Sequence, residues 1–204
     1  MEKRFKKIKK IRTRLSKVLA ILVIIAFIFG AQKDYLSHLE MGIVDIIALL
    51  FVMLGTLGRV WCAFYISGFK NKKVVTDGPY STSRNPLYLY SLIGATGIGL
   101  VTHSLAVLAF IIVAFAIYYP FVIVGEERKL ATILGQDYQE YVKRVPRFFP
   151  NFKLFTQPQE YTVKPRVFYK DLRDCSMFIV TYCLILLINV LKASEIIPTY
   201  FTIF

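Results

Sequence analysis

Histidine and cysteine are scarce, at two and three among 204 residues. His38 and His103 stand far from each other and from any paired cysteine spacing, and Cys62, Cys175 and Cys183 show no CxxC pattern and cannot all pair. A zinc site of His and Cys is therefore not expected, and the thiols read as buried apolar groups. Acidic residues are also few, 13 against 26 Lys and Arg, for a net charge of +13. A basic balance of that size suits nucleic acid only when it is spread over a folded polar surface. Here it lies between long apolar runs. The chain is 56% hydrophobic with a mean hydropathy of +0.54, which excludes both disorder and an ordinary soluble domain. An integral membrane protein of one compact domain, 1–204, remains.

A bilayer core asks for about 20 apolar residues per helical span. Residues 18–31 form a short apolar run of 14 behind a basic segment, and 42–68 are long enough to cross with tilt. Residues 87–124 hold 38 positions without Lys, Arg, Asp or Glu and are interrupted mainly at Thr102, His103 and Ser104, so they read as two spans joined by a tight turn. The last span is 177–191, extended by Cys175 and Ser176. The expected fold is an all-α, polytopic bundle of about five spans. Cationic residues are retained on the cytoplasmic side. With the N-terminus inside, residues 1–17, 69–86 and 125–174 hold nine, four and ten Lys and Arg, leaving only Lys33, Arg59 and Lys192 elsewhere. A bacterial inner membrane and an endoplasmic reticulum both satisfy this pattern. A cleaved signal peptide is the rival reading of 1–31, and it leaves the sidedness of later segments unchanged. Both histidines then fall in outer turns, so an inner site contains none.

Within the spans, Gly55, Gly58, Gly94, Gly97 and Gly99 read as close helix packing, Asn189 as interhelical glue, and Asp45 and Arg59 as charges too far apart to pair, about 21 Å along one helix. The loop from Lys72 to Tyr88 contains the turn Asp77-Gly78-Pro79. It ends in Asn85-Pro86, an expected cap and first-turn proline, so a helix N-terminus faces the inner mouth and suits an anionic group. After the fourth span come Gly125-Glu126-Glu127 and a stretch in which Leu130, Ile133, Leu134, Tyr138, Tyr141, Val142 and Val145 recur at helical spacing, with Gly135 as a break. This predicts two amphipathic interfacial pieces roofing the bundle. Adjacent helical residues point about 100° apart, so only one of Glu126 and Glu127 need face inward. A solvated helix end suits Glu127 as well as a functional role does.

The GPY, RNPLY, GEE, GxxYxxY and RVPRFFP segments, in this order and separation, resemble the isoprenylcysteine carboxyl methyltransferase family and its membrane methyltransferase relatives, including phospholipid methyltransferases. The resemblance covers residues 70–154, within a cofactor-binding core at 69–154 between an N-terminal region, 1–68, and a C-terminal linker and span, 155–204. It implies S-adenosylmethionine as cofactor, held by Lys72, Lys73, Val74, Val75, Tyr80, Arg84, Asn85, Pro86, Leu87, Tyr88 and Glu126. It also implies Asn85, Tyr88, Glu126 and Glu127 as the residues nearest the chemistry. No metal and no nucleic acid are implied; the acceptor is lipidic or apolar and arrives through the bilayer. Two positions depart from the family: its motif histidine is Asn85 here, and the substrate-binding arginine of prenylcysteine enzymes is Val122. Methyl transfer from a sulfonium is an in-line displacement that asks chiefly for alignment and a dry pocket. Aromatic faces at Tyr80 and Tyr88 each supply about 0.5–2 kcal/mol to such a cation. A thiolate, carboxylate or amine acceptor is already nucleophilic, so the lack of an inner histidine counts against hydrolysis more than against methylation. An NADPH-dependent reductase of the sterol-reductase type and a non-catalytic lipid-binding scaffold are the alternatives.

Overall fold

The computed structural model describes residues 30–32 and 37–203. The expected span at 18–31 lies outside them except for Gly30 and Ala31, which belong to a short extended segment, β1 (Gly30–Gln32), paired in parallel with β2 (Phe201–Ile203). The described residues between them are helical or loop. α1 (His38–Ile66) opens on a capping box in which Ser37 Oγ accepts from the Glu40 N–H and Glu40 Oε2 accepts from the Ser37 N–H at 2.7 Å. α2 (Pro79–Thr82) is a single turn. α3 (Pro86–Val101), α4 (Leu105–Arg144) and α5 (Pro165–Ala193) complete the bundle, with a 3-10 turn at Phe152–Leu154.

α1, α4 and α5 are long and apolar enough to cross a membrane, and α3 is a shorter apolar helix of 16 residues, about 24 Å. The chain is a helical membrane protein. The turn expected within 87–124 falls at Thr102–Ser104: His103 takes a positive φ of 51°, and Ser104 caps α4 by accepting from the Val107 N–H. Gly135, at φ 56°, breaks α4 into the span and a final amphipathic piece, while the first expected interfacial piece is a straight continuation of the span. α5 begins twelve residues before the expected apolar run.

α1 and α3 pack almost backbone to backbone. A Cβ on Gly55 would lie 2.5 Å from the Gly94 backbone, and one on Gly97 2.7 Å from the Ala48 carbonyl, so both helices need glycine at the crossing. Ala48, Val52, Val101 and Tyr182 form the buried core at this end. Several polar groups in and beside the spans are paired: the Tyr182 hydroxyl donates to the Asp45 carbonyl at 3.0 Å, His103 Nε2 lies 2.8 Å from Asp45 Oδ1, and Asn189 Nδ2 donates to the Val101 carbonyl at 2.8 Å. Asn189 is interhelical glue, as expected. Cys62 and Cys175 are buried free thiols, while Cys183 is exposed, unlike the buried thiol expected there. Large apolar side chains such as Leu50, Leu57, Ile117, Phe121 and Leu187 stand exposed along α1, α4 and α5, which in water would be costly and in lipid is the favoured arrangement.

Candidate functional site

At the end of the bundle opposite His103, the loop after α1, the α2 turn, the start of α3 and the second half of α4 close on one another. Gly78, at φ 59°, lets the chain turn sharply into Pro79; its N–H donates to the Thr156 carbonyl at 2.8 Å, and a Cβ there would strike the Tyr65 ring. The stretch 81–85 is then sewn to 146–156. The Arg84 N–H donates to the Pro146 carbonyl and the Asn151 N–H to the Thr82 carbonyl, both at 2.9 Å, and Ser83 Oγ donates to the Phe148 carbonyl at 2.9 Å. The Tyr141 hydroxyl donates to the Tyr80 carbonyl at 2.7 Å, pinning the amphipathic end of α4 over the same loop. Segments that lie up to 78 residues apart in the chain thus form one unit.

Glu126 and Glu127 diverge as their 100° offset requires. Glu127 is buried, with its side chain 10% exposed. Its Oε1 accepts from Asn85 Nδ2 at 3.0 Å and lies 3.3 Å from Arg84 Nη1; its Oε2 accepts from Arg147 Nε, with Nη2 also at 3.1 Å. A solvated helix end is therefore ruled out for Glu127, because two guanidiniums and an amide surround it. Asn85 is the second correction. It occupies the N-cap position of α3, but its side chain makes no capping bond. Its amide donates instead to Glu127 and to the Arg147 carbonyl at 3.0 Å, and two acceptor partners fix the orientation of the amide.

Glu126 points the other way, into an open cleft of about 800 Å³ counted with the solvent at its mouth. Its Oε2 accepts from the Tyr88 hydroxyl at 2.8 Å, and its Oε1 lies 3.3 Å from Lys70 Nζ. Of the residues expected to hold a cofactor, Lys73, Val74, Val75, Tyr80, Arg84, Asn85, Leu87, Tyr88 and Glu126 line this cleft. Lys72 is exposed and Pro86 is buried as the first residue of α3, and neither is on its wall; Glu127 is not on it either. Lys70, Lys129, Leu130, Leu134, Tyr138 and Tyr141 also line it. Lys129 and Leu130 follow Glu126 by three and four residues and so share its helix face, a spacing visible in the sequence. Lys70 had no such signal.

Two groups of residues lining this cleft have an unmet demand, the Tyr80 hydroxyl and Arg84 Nε. Tyr80 is 6% exposed and its oxygen is buried without a hydrogen-bond partner. A buried polar atom left unpaired costs about 1–3 kcal/mol. Burial holds the phenol well above its ordinary pKa, so it remains a donor across the physiological range. Tyr88 and Tyr80 contribute aromatic surface, Val74, Val75, Leu87, Leu130 and Leu134 apolar walls, and Glu126 a carboxylate. The donor, the acceptor, the rings and the apolar walls, with Lys70, Lys73, Arg84 and Lys129 also on the lining, fit an amphipathic molecule that bears hydroxyl or amino groups and an anionic end. Among the described residues no group of three or more His, Cys, Asp or Glu could hold a metal ion.

Fold and site together define a helical membrane protein with a small-molecule cleft at one end of its bundle. The phospholipid methyltransferase family model matches residues 41–137. The cobalt-zinc-cadmium resistance protein CzcN of Cupriavidus metallidurans is 39% identical over 166 residues, 80% of this chain and 74% of its own length. The nickel-cobalt-cadmium resistance protein NccN of Alcaligenes xylosoxydans xylosoxydans is 32% identical over 189 residues, 93% of this chain and 88% of its own. No solved structure matches. The chain belongs to the phospholipid methyltransferase family, one of the related groups of membrane methyltransferases. The family match reaches further back than the motifs do, taking in most of α1, and the likeness to NccN extends over nearly the whole chain.

Proposed function

We propose that the protein is an integral membrane methyltransferase that uses S-adenosylmethionine and acts on a lipidic or apolar acceptor, with the N-terminus and the cleft on the cytoplasmic side. The observation that carries this is the cleft itself: the linked motifs bound one pocket in which Tyr80 has a buried hydroxyl without a partner and Glu126 presents a carboxylate. Tyr80, Tyr88 and Glu126 would hold the cofactor, which would supply an electrophilic methyl group on a sulfonium for transfer to the acceptor's lone pair.

The protein's own contribution is alignment and exclusion of water. Tyr88 offers its ring to positive charge while its hydroxyl, bonded to Glu126, keeps the carboxylate aimed across the cleft. Glu126 accepts from hydroxyl or amino groups, and Tyr80 donates. Val74, Val75, Leu130 and Leu134 keep the walls dry. Asn85 and Glu127 act as positioning residues: they hold the start of α3 against the segment at 146–148, and the whole cleft depends on that junction. Asparagine fulfils this positioning role without a titratable ring.

The cytoplasmic placement is supported by the cationic residues of 69–86 and 125–174, which surround the cleft end of the bundle. From the names of the relatives we infer a setting in heavy-metal resistance, in which this protein modifies a membrane-borne molecule. The test is calorimetric binding of S-adenosylmethionine, S-adenosylhomocysteine and NADPH to the detergent-purified protein. Micromolar affinity for the first two, about 8 kcal/mol, with none for NADPH supports methyl transfer. NADPH alone would place the protein with the reductases, and no binding at all would leave a scaffold.

A further inference from the structure

Arg59 lies in the second half of α1, a helix long and apolar enough to cross the membrane, where a cation calls for a counterpart. Among the described residues no carboxylate lies within ion-pair distance of it. Its Nη1 donates to Ser91 Oγ on α3, it meets the Cys175 thiol, its guanidinium sits 5.4 Å over the Phe178 ring, and its buried Nε has no partner. It lines a pocket of about 830 Å³ between α1, α3, α4 and α5. Asp174 is on the rim of that pocket, but its side chain is 54% exposed and 3.8 Å from Arg173, which offsets its charge.

Tyr119 ties this pocket to two others. Phe115 and Tyr119, stacked at 3.5 Å, form the wall shared with a second pocket of about 780 Å³, which is almost entirely apolar and lined by Ile112, Pro120 and Ile123. The Tyr119 ring also meets Tyr88 edge-on at 5.1 Å, and Tyr88 holds Glu126 in the cofactor cleft. Arg59, an apolar groove that Arg147 also borders, and the candidate reaction site therefore converge on Tyr119.

We propose that Arg59, with Ser91, binds the anionic head group of an amphiphile whose apolar tail lies in the groove beyond Phe115. Carboxylate and phosphate share the required chemistry, since a guanidinium fork pairs with either. That this amphiphile is the methyl acceptor rests on the methyl-transfer assignment; that it binds here does not.

The experiment uses the full chain in neutral detergent and radiolabelled palmitate in a scintillation-proximity assay, with dodecyl phosphate, dodecanol and dodecyltrimethylammonium as competitors. Palmitate binds, and the phosphate or unlabelled carboxylate displaces it at least tenfold better than the neutral or cationic chains do. Strong displacement by dodecyl phosphate points to a phospholipid-like source, and weak displacement to a free carboxylic acid. Arg59→Gln lowers palmitate binding at least tenfold, Arg59→Lys keeps part of it, and S-adenosylhomocysteine binding by Arg59→Gln stays at the wild-type level, which also reports that the variant is folded. If Arg59→Gln does not fold, the competitor series on the wild-type protein decides. Equal displacement by dodecanol or the ammonium chain, no palmitate binding, or wild-type palmitate affinity in Arg59→Gln overturns the proposal. Failure of wild-type protein to bind S-adenosylhomocysteine counts against methyl transfer and leaves the anion site standing.

Discussion

Glu126 and Glu127 are neighbours in sequence, yet neutralising them should separate stability from binding. Glu127 is buried against two guanidiniums and an amide. Removing one partner from a buried ion cluster costs about 3–5 kcal/mol because it strands the opposite charge. Arg84 is 11% exposed and would be stranded, whereas Arg147 is 56% exposed and partly rescued by water. Glu127→Gln should therefore cost about 2–4 kcal/mol, below the full figure for a dry cluster. For a chain of this size that corresponds to a fall of roughly 4–16 °C in melting temperature. Glu126 is 38% exposed and has a 58% exposed lysine for its ion pair, so Glu126→Gln should cost under about 1 kcal/mol in stability. The same change removes a charged acceptor from the cleft, worth about 1.5–3 kcal/mol, or roughly 10- to 100-fold in ligand affinity. Thermal unfolding in detergent, followed by near-ultraviolet circular dichroism, and calorimetric binding of S-adenosylhomocysteine measure the two quantities on the same samples. The reasoning is refuted if Glu127→Gln melts with the wild type, or if Glu126→Gln loses as much stability as Glu127→Gln while keeping full affinity.

Tyr80→Phe deletes a buried hydroxyl that has no partner, so the ligand-free protein should melt at the wild-type temperature or slightly higher, while S-adenosylhomocysteine affinity drops about tenfold; a fall in melting temperature with unchanged affinity would contradict the assigned role. Gly55→Ala should cost about 1–3 kcal/mol in the same melts, since the added methyl meets the Gly94 backbone rather than a movable side chain. Gly125→Ala, with nothing within 4 Å of the new methyl, should be neutral or stabilising by about 0.5–1 kcal/mol.

What could be read from the sequence depended on how far apart the interacting residues lie. The α3–α4 turn was legible because Thr102, His103 and Ser104 interrupt an otherwise uncharged run, and the break at Gly135 because only glycine is at ease at its φ of 56°. Both are local signals. The divergence of Glu126 and Glu127 was equally legible, since it follows from 3.6 residues per turn. Their destinations were not, because each depends on residues that helix periodicity does not connect: Glu127 meets Asn85, 42 positions earlier, and Glu126 meets Tyr88, 38 positions earlier. Asn85 shows how the local rule fails. Asn before Pro at a helix start is a sound cap by propensity, but here the buried Glu127 carboxylate and the Arg147 carbonyl both accept from the Asn85 amide, and those two bonds set the side chain's orientation in place of a cap. Arg59 follows the same logic. Its position in the chain permitted snorkelling to the membrane surface, and only the approach of α3 at the glycine crossing brings Ser91 near enough to hold it inside. The glycines that appear in the sequence as mere packing are thus what places a cation beside the cleft, and a substitution that forces α1 and α3 apart at Gly55 should loosen the Arg59 site along with the bundle.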